Sequence, residues 1–305
     1  QKDQNINILK KMNNALSHRG PDDEGYHSED NIFLAHRRLS ILDLNRRSSQ
    51  PFKNKDENLI LLFNGEIYNY LELKKELKDQ NFKFNTTSDT EVLLACYEIW
   101  DIKMLNKIKG MFSFSIIDLK KNIIFSARDH FGQKPFYYYL DKQNFIFSSE
   151  LRSLLENPEI PKKLDYDNTI SYFHYDAFVG DTTPIQQCKK LLPSEYLIYD
   201  IKNKTITKNK YDNDEIISNP KLLSTMITTA IGKWRQIKIA GESIQRRLGN
   251  ENIIDLMKKY DFPNETDYVV LGEINTLSTN YEIDLKIMDV STQNIIHSHF
   301  FQIQK

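Results

Sequence analysis

The spacing of apolar positions divides the chain into a long first part, rich in predicted strands, and a shorter second part. In the first part, apolar residues recur at helical spacing over residues 6–17, which predicts a short amphipathic helix. From there to about residue 150, short apolar runs alternate with polar turns. These runs predict strands at residues 31–35, 38–43, 58–63, 111–117, 122–127, 136–140 and 144–148.

Two helices are predicted between these strands. Asn69 with Glu72, and Ser88 with Glu91, have the spacing of an N-terminal capping box. Each is followed by apolar residues on one helical face, which are Tyr70, Leu73 and Leu77 in the first helix and Val92, Ala95, Cys96 and Ile99 in the second. Many strands with few helices predict an α+β fold of antiparallel sheets rather than a βαβ repeat.

The second part of the chain follows two further predicted strands at residues 196–201 and 205–209. We predict a first domain over residues 1–210, a polar linker over 211–229 and a small α+β domain over 230–305. Within the last, apolar positions predict a helix at 251–260 and a three-stranded meander that begins near residue 268.

Composition narrows the classes of partner. The 305 residues are 40% hydrophobic and 27% charged, and 41 basic against 42 acidic side chains leave a net charge of −1. The chain therefore has no overall excess of positive charge that would attract nucleic acid or an anionic membrane. No apolar run is long enough to span a bilayer. With only Cys96 and Cys188, a disulfide framework is not expected, so the predicted location is cytoplasmic.

Four clusters of polar and glycine residues lie where predicted strands or helices end. Taken singly, they predict a turn, a solvated strand edge, an Asn-Gly hairpin and a helix cap, respectively. The clusters are His18-Arg19-Gly20-Pro21-Asp22, Arg37-Arg38-Leu39-Ser40-Ile41-Leu42-Asp43, Asn64-Gly65-Glu66-Ile67-Tyr68-Asn69 and Ser88-Asp89-Thr90-Glu91.

Together, in this order and spacing, the clusters resemble the glutaminase domain of glutamine-dependent asparagine synthetases, a class II glutamine amidotransferase of the N-terminal-nucleophile type. The resemblance spans about residues 6–200 and continues through Gly110-Met111-Phe112-Ser113-Phe114, the run from Arg128 to Tyr138, and Ser149-Glu150-Leu151. It implies a four-layer αββα sandwich of antiparallel sheets (the Ntn-hydrolase fold). It also implies a ligase whose glutaminase part releases ammonia from L-glutamine, for asparagine synthesis from aspartate and ATP.

The resemblance also assigns roles to individual residues. Arg38 matches the clamp for the substrate carboxylate, which a guanidinium fork can bind bidentately. The main chain of the adjoining residues, Leu39, Ser40, Ile41 and Leu42, completes the binding surface for this carboxylate. Asp89 matches the partner of the substrate ammonium, with Glu66 nearby. Asn64 and the N–H of Gly65 match the oxyanion hole, which acyl transfer needs to stabilise the developing negative charge.

The sequence departs from the family pattern at the nucleophile. In the family this is a cysteine at the mature first residue, whose own α-amine serves as the base. Here residue 1 is Gln1, and no cysteine precedes Cys96. We predict that neither Cys96 nor Cys188 replaces it. We expect that the natural chain begins upstream, with a strand that opens on Met-Cys, and that the chain as written is a fragment that does not hydrolyse glutamine alone.

A second departure lies downstream. The resemblance implies a synthetase domain with a Ser-Gly-Gly-x-Asp-Ser loop for ATP and Mg²⁺, but the sequence contains no Gly-Gly pair. We therefore expect no cofactor and no metal in this chain, and no ammonia-acceptor domain. Residues 268–296 weakly resemble CsgG-like and TolB-like envelope domains, and any α+β accessory domain is the alternative. His297 and His299 fit a surface strand better than a metal site.

Two functional hypotheses therefore remain. The first is an amidotransferase domain of the asparagine synthetase type, for which a homodimer is one possible assembly. The second is a catalytically inactive or chimeric chain, in which a glutamine-binding or interaction module is fused to an envelope-type domain.

Overall fold

The computed structural model describes residues 2–39, 48–175, 177–211, 268–276, 280–289 and 295–304. The chain forms two compact units, Gln1–Asp212 and Asn213–Lys305. Within the described residues, no helix is both long enough and apolar enough to cross a membrane.

The first unit alternates short helices with antiparallel strands. Its helices are α1 (Lys2–Asn14), α2 (Tyr70–Asp79), α3 (Asp89–Trp100), α4 (Leu151–Leu154) and α5 (Tyr166–Tyr175), with a 3-10 helix at Asp101–Asn106. Its strands are β1 (Asp23–Glu29), β2 (Ile32–Arg38), β3 (Phe52–Lys53), β4 (Leu59–Ile67), β5 (Gly110–Asp118), β6 (Ile123–Arg128), β7 (Tyr137–Leu140), β8 (Phe145–Ser148), β9 (Cys188–Lys190), β10 (Glu195–Asp200) and β11 (Thr205–Lys210).

These strands form three sheets in which every pair is antiparallel. The largest has six strands in the order β11-β10-β6-β5-β4-β3. A three-stranded sheet has the order β8-β7-β9, and β1 pairs with β2 alone. The longest pairing joins β4 to β5 over nine residue pairs, from Leu59 opposite Asp118 to Ile67 opposite Gly110.

Alternating side chains of the six-stranded sheet enter two different cores. In β4, Leu61 and Phe63 pack with α2 and α3. Ile60 instead packs against Tyr138 of β7 and the neighbouring Phe136, in a second layer that the smaller sheets form. Strands with apolar residues on both faces must be covered on both sides, because burial of apolar surface is the main favourable term in folding. The six-stranded sheet is therefore an inner layer.

The other sheet layer is covered in the same way. Leu34 of β2 and Tyr138 of β7 face the six-stranded sheet, while Tyr139 packs with Met12 of α1 and Leu154 of α4. The layers are thus α2 and α3, the six-stranded sheet, the two smaller sheets, and α1 and α4. This is the four-layer αββα sandwich of antiparallel sheets that the resemblance implied.

The predicted elements differ from the observed ones mainly where the pattern is weak. The first helix begins at Lys2 and ends at Asn14, earlier than predicted. The sequence pattern did not predict β1, β3, β9, α4, α5 or the 3-10 helix. Strand β1 is polar, with no buried residue, and it exists because its backbone pairs with β2 over all seven residues. A pattern of apolar positions cannot detect such a strand. The predicted strand at residues 38–43 lies largely outside the described residues.

The two predicted capping boxes form only in part. Ser88 caps α3, since its Oγ accepts a hydrogen bond from the Thr90 N–H at 3.1 Å, but Glu91 instead accepts from Asn85 and Thr86. Asn69 makes no capping bond. Its side-chain amide bonds the backbone of Lys107 and Lys109 at 2.9 Å each. A distant backbone segment therefore replaces the predicted capping partner of Asn69, whereas Glu91 bonds the residues just before its own helix.

The second unit contains a three-stranded antiparallel meander, as predicted. Its strands are β12 (Tyr268–Thr276), β13 (Asn280–Asp289) and β14 (Ile295–Gln304), in the order β12-β13-β14. His297 and His299 lie in β14. The predicted helix at 251–260 and the predicted linker beyond residue 211 lie outside the described residues. Tyr211 itself is buried in the core of the first unit. A meander is common to many α+β domains, so the resemblance of this unit to envelope domains stays a prediction.

Candidate functional site

Arg38 is the last residue of β2, and it is buried, with 8% of its surface exposed. Side chains alternate along a strand, so Arg38 shares a face with Leu34, which packs in the core between the two sheet layers. The guanidinium therefore belongs to the space between the layers, at one end of β2. The solvated strand edge that the Arg pair predicted in isolation does not form, since the Arg37 side chain is only 17% exposed and bonds Glu24 and Asn14.

The turn at Gly20 packs directly against the backbone of Arg38. A Cβ atom at Gly20 would lie 2.4 Å from the Arg37 carbonyl carbon and 2.6 Å from the Arg38 nitrogen. The Asp22 N–H donates to the Arg38 carbonyl at 3.1 Å. Only glycine allows so close an approach of two backbones. The cluster that contains Gly20 therefore supports the strand end that carries Arg38.

Asn64 and Gly65 lie inside β4, so the hairpin that this dipeptide predicted in isolation does not form. They are opposite Ser113 and Phe112 of β5. A Cβ at Gly65 would lie 2.1 Å from the Met111 carbonyl oxygen. Asn64 Nδ2 is buried and makes no hydrogen bond to any described residue. Burying an amide donor without a partner is costly, and such groups are often functional.

Asp89 is held beside the end of β4. Its Oδ2 accepts a hydrogen bond from the Ile67 N–H at 3.1 Å, and its residue is 5% exposed. Burial raises the pKa of the Asp89 carboxyl, and the nearby Glu66 carboxylate raises it further, while bonds from Ile67, Ser88 and Thr90 oppose the shift. A cation placed here would therefore be bound by a carboxylate that has lost much of its hydration.

The structure brings most of the predicted site residues to one end of β4. Asn64 and Glu66 lie on the same face of β4 as Ile60, and this face packs between the two sheet layers. The face of β2 that carries Arg38 packs in the same space. Leu39 follows Arg38 directly and is 55% exposed; its main-chain role stays a prediction. Ser40, Ile41 and Leu42 lie outside the described residues.

Two neighbouring residues were missed by the sequence analysis. Gln50 bonds both backbone groups of Phe63, the residue before Asn64. His36 Nε2 donates to the Phe63 carbonyl at 3.2 Å, and burial lowers the pKa of His36 to about 4. The His36 imidazole is therefore neutral at pH 7 and has one N–H donor, which is the Nε2 group that bonds Phe63. Neither residue belongs to a local pattern, because both act across strands on a backbone group.

The two cysteines are free thiols, and both are buried. Cys96 lies in α3, as predicted, within the core beneath the six-stranded sheet. The polar residues around Cys188 predict a loop, but Cys188 begins β9 and packs with Met12 and Tyr139. Burial raises the pKa of both thiols, that of Cys188 to about 11. Because the thiolate is the nucleophile, neither group is poised for catalysis.

We expect iodoacetamide to modify neither cysteine of the folded chain at pH 8, and to modify both in denaturant. Burial blocks access, and the raised pKa keeps each thiol protonated. Mass spectrometry of the alkylated chain measures this directly. Rapid labelling of Cys96 or Cys188 under native conditions would show that our description of an inert thiol is wrong for that residue.

No set of three or more His, Cys, Asp or Glu side chains among the described residues is arranged to hold a metal ion. The groups that the structure does provide are a buried guanidinium, a desolvated carboxylate and an amide donor that has no partner among the described residues. Such a set suits a small zwitterion with a polar side chain.

Comparisons with known proteins point to glutamine amidotransferases. The family described as "Glutamine amidotransferase domain" matches residues 1–212. Asparagine synthetase [glutamine-hydrolyzing] 2 of Bacillus subtilis is 47% identical over 166 residues, which cover 54% of this chain and 22% of that protein. Putative asparagine synthetase [glutamine-hydrolyzing] 2 of Methanocaldococcus jannaschii is 34% identical over 302 residues, with 90% of this chain and 56% of that protein covered.

Among solved structures, a glutamine phosphoribosylpyrophosphate amidotransferase from B. subtilis has a TM-score of 0.47 and 18% identity, over 68% of this chain and 47% of that one. The chain spans between about a fifth and just over half of the length of the two curated relatives named above. Because the family match covers more than two thirds of the chain, over the unit that contains Arg38, Asn64 and Asp89, this protein belongs to the glutamine amidotransferase domain family.

Proposed function

We propose that the first unit binds L-glutamine and acts as the glutaminase part of an asparagine synthetase-type enzyme. The buried amide donor of Asn64 carries this proposal, since it has no partner among the described residues and stands beside the backbone of Gly65. An uncharged donor next to a glycine N–H suits a substrate oxygen that becomes negative during amide hydrolysis. The names of the relatives support the same assignment.

Each of the two charged groups of the substrate then meets a side chain of opposite charge. The guanidinium of Arg38 binds the α-carboxylate, with the main chain of residues 39–42 as the adjoining wall. Asp89 binds the α-ammonium, and Glu66 adds negative charge on the same side. With both charged groups fixed, the side-chain carboxamide reaches Asn64 and Gly65. The free energy of binding at the charged end thereby orients the bond that is to be broken.

Hydrolysis further needs a nucleophile, and neither Cys96 nor Cys188 is suited to that role. When a cysteine thiol attacks the carboxamide carbon, a C–S bond forms and the C–N bond breaks; the thiol proton passes to the leaving nitrogen, so ammonia is released and a thioester remains. Water then hydrolyses the thioester to glutamate and restores the thiol. Transfer of ammonia to aspartate needs ATP and Mg²⁺, and the Ser-Gly-Gly-x-Asp-Ser loop that the resemblance implies for them does not occur in this sequence, whose ten glycines include no adjacent pair. We therefore place no ATP step on these residues.

Calorimetry of the 305-residue chain with L-glutamine tests binding, with D-glutamine as the stereochemical control. We expect heat of binding with L-glutamine and none with D-glutamine, because inversion at Cα exchanges the positions of the two charged groups. Glutamate release is then measured in a chain extended before Gln1 by a strand-length segment that opens on cysteine. Absence of L-glutamine binding would contradict the proposal, whereas binding without release in the extended chain would favour the binding-module alternative.

The Asp89→Asn variant should bind L-glutamine at least about thirtyfold more weakly, since losing one partner of a buried charge pair costs about 2 kcal/mol or more. The raised pKa of Asp89 predicts the opposite effect on stability. A carboxyl whose pKa is raised by folding stabilises the fold only at low pH, and that contribution is lost as the pH rises through the raised pKa. At pH 7 the variant should therefore unfold with the same or a higher free energy.

Asp118→Asn is the matched control, because Asp118 is equally buried but lies at the far end of β5, where it bonds Tyr97. It should leave the affinity for glutamine unchanged. In the unmodified chain, binding should strengthen as the pH rises through the raised pKa of Asp89, and the Asn variant should lack that step. Equal affinities of the Asp89→Asn variant and the unmodified chain would exclude Asp89 as the ammonium partner.

A further inference from the structure

The edge of β4 next to the oxyanion residues is closed by a side chain instead of a strand. Strand β3 pairs with β4 only at Phe52 opposite Leu61 and Lys53 opposite Ile60. The same register, extended by two residues, places Gln50 opposite Phe63. At that point the chain turns through Pro51, which has no N–H to continue a ladder.

The Gln50 carboxamide makes the two hydrogen bonds that a strand residue would have made. Its Oε1 accepts from the Phe63 N–H at 2.6 Å, and its Nε2 donates to the Phe63 carbonyl at 3.1 Å. Gln50 is buried, so water does not compete for these bonds. A primary amide has the same donor and acceptor as a peptide group, so it can replace one unit of a ladder.

Gln50 is itself fixed from the other sheet layer. A Cβ atom at Gly25 of β1 would lie 2.0 Å from the Gln50 carbonyl oxygen, so these backbones are in direct contact. The Phe63 carbonyl also accepts from His36 Nε2 at 3.2 Å. His36 precedes Arg38 by two residues on the same face of β2. One carbonyl group thus connects the strand that carries Arg38 with the residue that precedes Asn64.

We propose that Gln50 is a positioning residue for the oxyanion hole, which fixes the Phe63–Asn64 peptide so that Asn64 Nδ2 and the Gly65 N–H meet the substrate carboxamide. This inference rests on the proposed glutamine site. It deepens that proposal by separating two parts of recognition: Arg38 and Asp89 bind the amino-acid end, whereas Gln50 acts only on the groups that recognise the carboxamide.

L-Norvaline distinguishes this role from a general structural one. It has the charged groups and the five carbons of L-glutamine, but a methyl group in place of the carboxamide. Gln50→Met removes both hydrogen bonds at similar side-chain length. We expect its affinity for L-glutamine to fall about tenfold or more, because small displacements of aligned groups are costly, while its affinity for L-norvaline stays within about twofold.

Asn54→Ala is the matched control. The Oδ1 of Asn54 accepts from the N–H groups of Asn58 and Leu59 at 3.1 Å each, so this residue also holds the β4 backbone through its side chain, but at the opposite end. We expect this variant to bind both ligands as the unmodified chain does. A loss of both ligands alike in Gln50→Met, or of neither, would overturn the proposal.

A second variant and a second measurement keep the test decisive. If Gln50→Met does not fold, Gln50→Glu retains the acceptor for the Phe63 N–H and replaces the amide donor to the Phe63 carbonyl with an oxygen, so a loss confined to L-glutamine is expected and an equal loss of both ligands overturns the role. If the unmodified chain binds no glutamine, the proposed function fails on its own. In that case the side-chain amide signal of Asn64 in a proton–nitrogen spectrum tests whether Gln50 positions Asn64, since the signal should shift in the Gln50 variants but not in Asn54→Ala.

Discussion

Replacing Arg38 with methionine should weaken the binding of L-glutamine by about a hundredfold or more. The guanidinium is buried at the end of β2 and has the geometry for two parallel hydrogen bonds to the α-carboxylate. Removing one member of a buried charge pair costs about 2–5 kcal/mol, because the other charge loses its hydration without compensation. Calorimetric titration with L-glutamine measures the effect.

Arg37→Met is the matched control for Arg38. Arg37 is adjacent in sequence and points to the other face of β2, where its guanidinium pairs with Glu24 at 2.9 Å and bonds Asn14. Its loss should leave the affinity for glutamine within about twofold, since partly exposed pairs contribute little. Arg38→Lys keeps the charge but not the planar fork, so an intermediate loss is expected. Equal effects at positions 37 and 38 would mean that Arg38 does not bind the carboxylate.

Gly65→Ala should lower the free energy of unfolding by about 3 kcal/mol or more and abolish glutamine binding. The added Cβ would lie 2.1 Å from the Met111 carbonyl oxygen and 2.7 Å from the Phe112 Cα. Both are backbone atoms of β5, within a nine-residue pairing, so no side chain can move away to make room. The strands must separate at the position where the oxyanion groups are held. Denaturant unfolding monitored by circular dichroism measures the loss.

Gly180→Ala provides the comparison for Gly65→Ala. Apart from Gly180 and its two chain neighbours, no atom of the described residues lies within 4 Å of the Cβ position at Gly180, and its φ of +63° imposes only a backbone cost of about 1–2 kcal/mol. It should leave glutamine binding intact. A Gly65→Ala variant as stable as the unmodified chain would show that β4 and β5 are not in such close contact at the oxyanion residues.

The pattern of apolar positions predicted most strands of the first unit because they have apolar residues on one or both faces. It failed at β1 and β9, which are formed by backbone pairing and have few apolar positions of their own. The same limit explains Asn69, whose spacing predicted a helix cap and whose amide instead bonds a distant backbone segment. Local spacing cannot show whether a tertiary partner will compete for a polar group.

The sequence by itself determined the family and the candidate residues, because Arg38, Asn64, Gly65 and Asp89 lie in motifs whose order and spacing are specific. Only the tertiary structure showed that Asn64 and Gly65 lie inside a strand and form no hairpin, since that depends on their pairing with β5. It alone revealed Gln50 and His36, which meet at the Phe63 carbonyl from separate segments of the chain. Both bonds join residues distant in sequence: the His36 bond depends on the stacking of the two sheet layers, and the Gln50 bond depends on the pairing at the edge of β4.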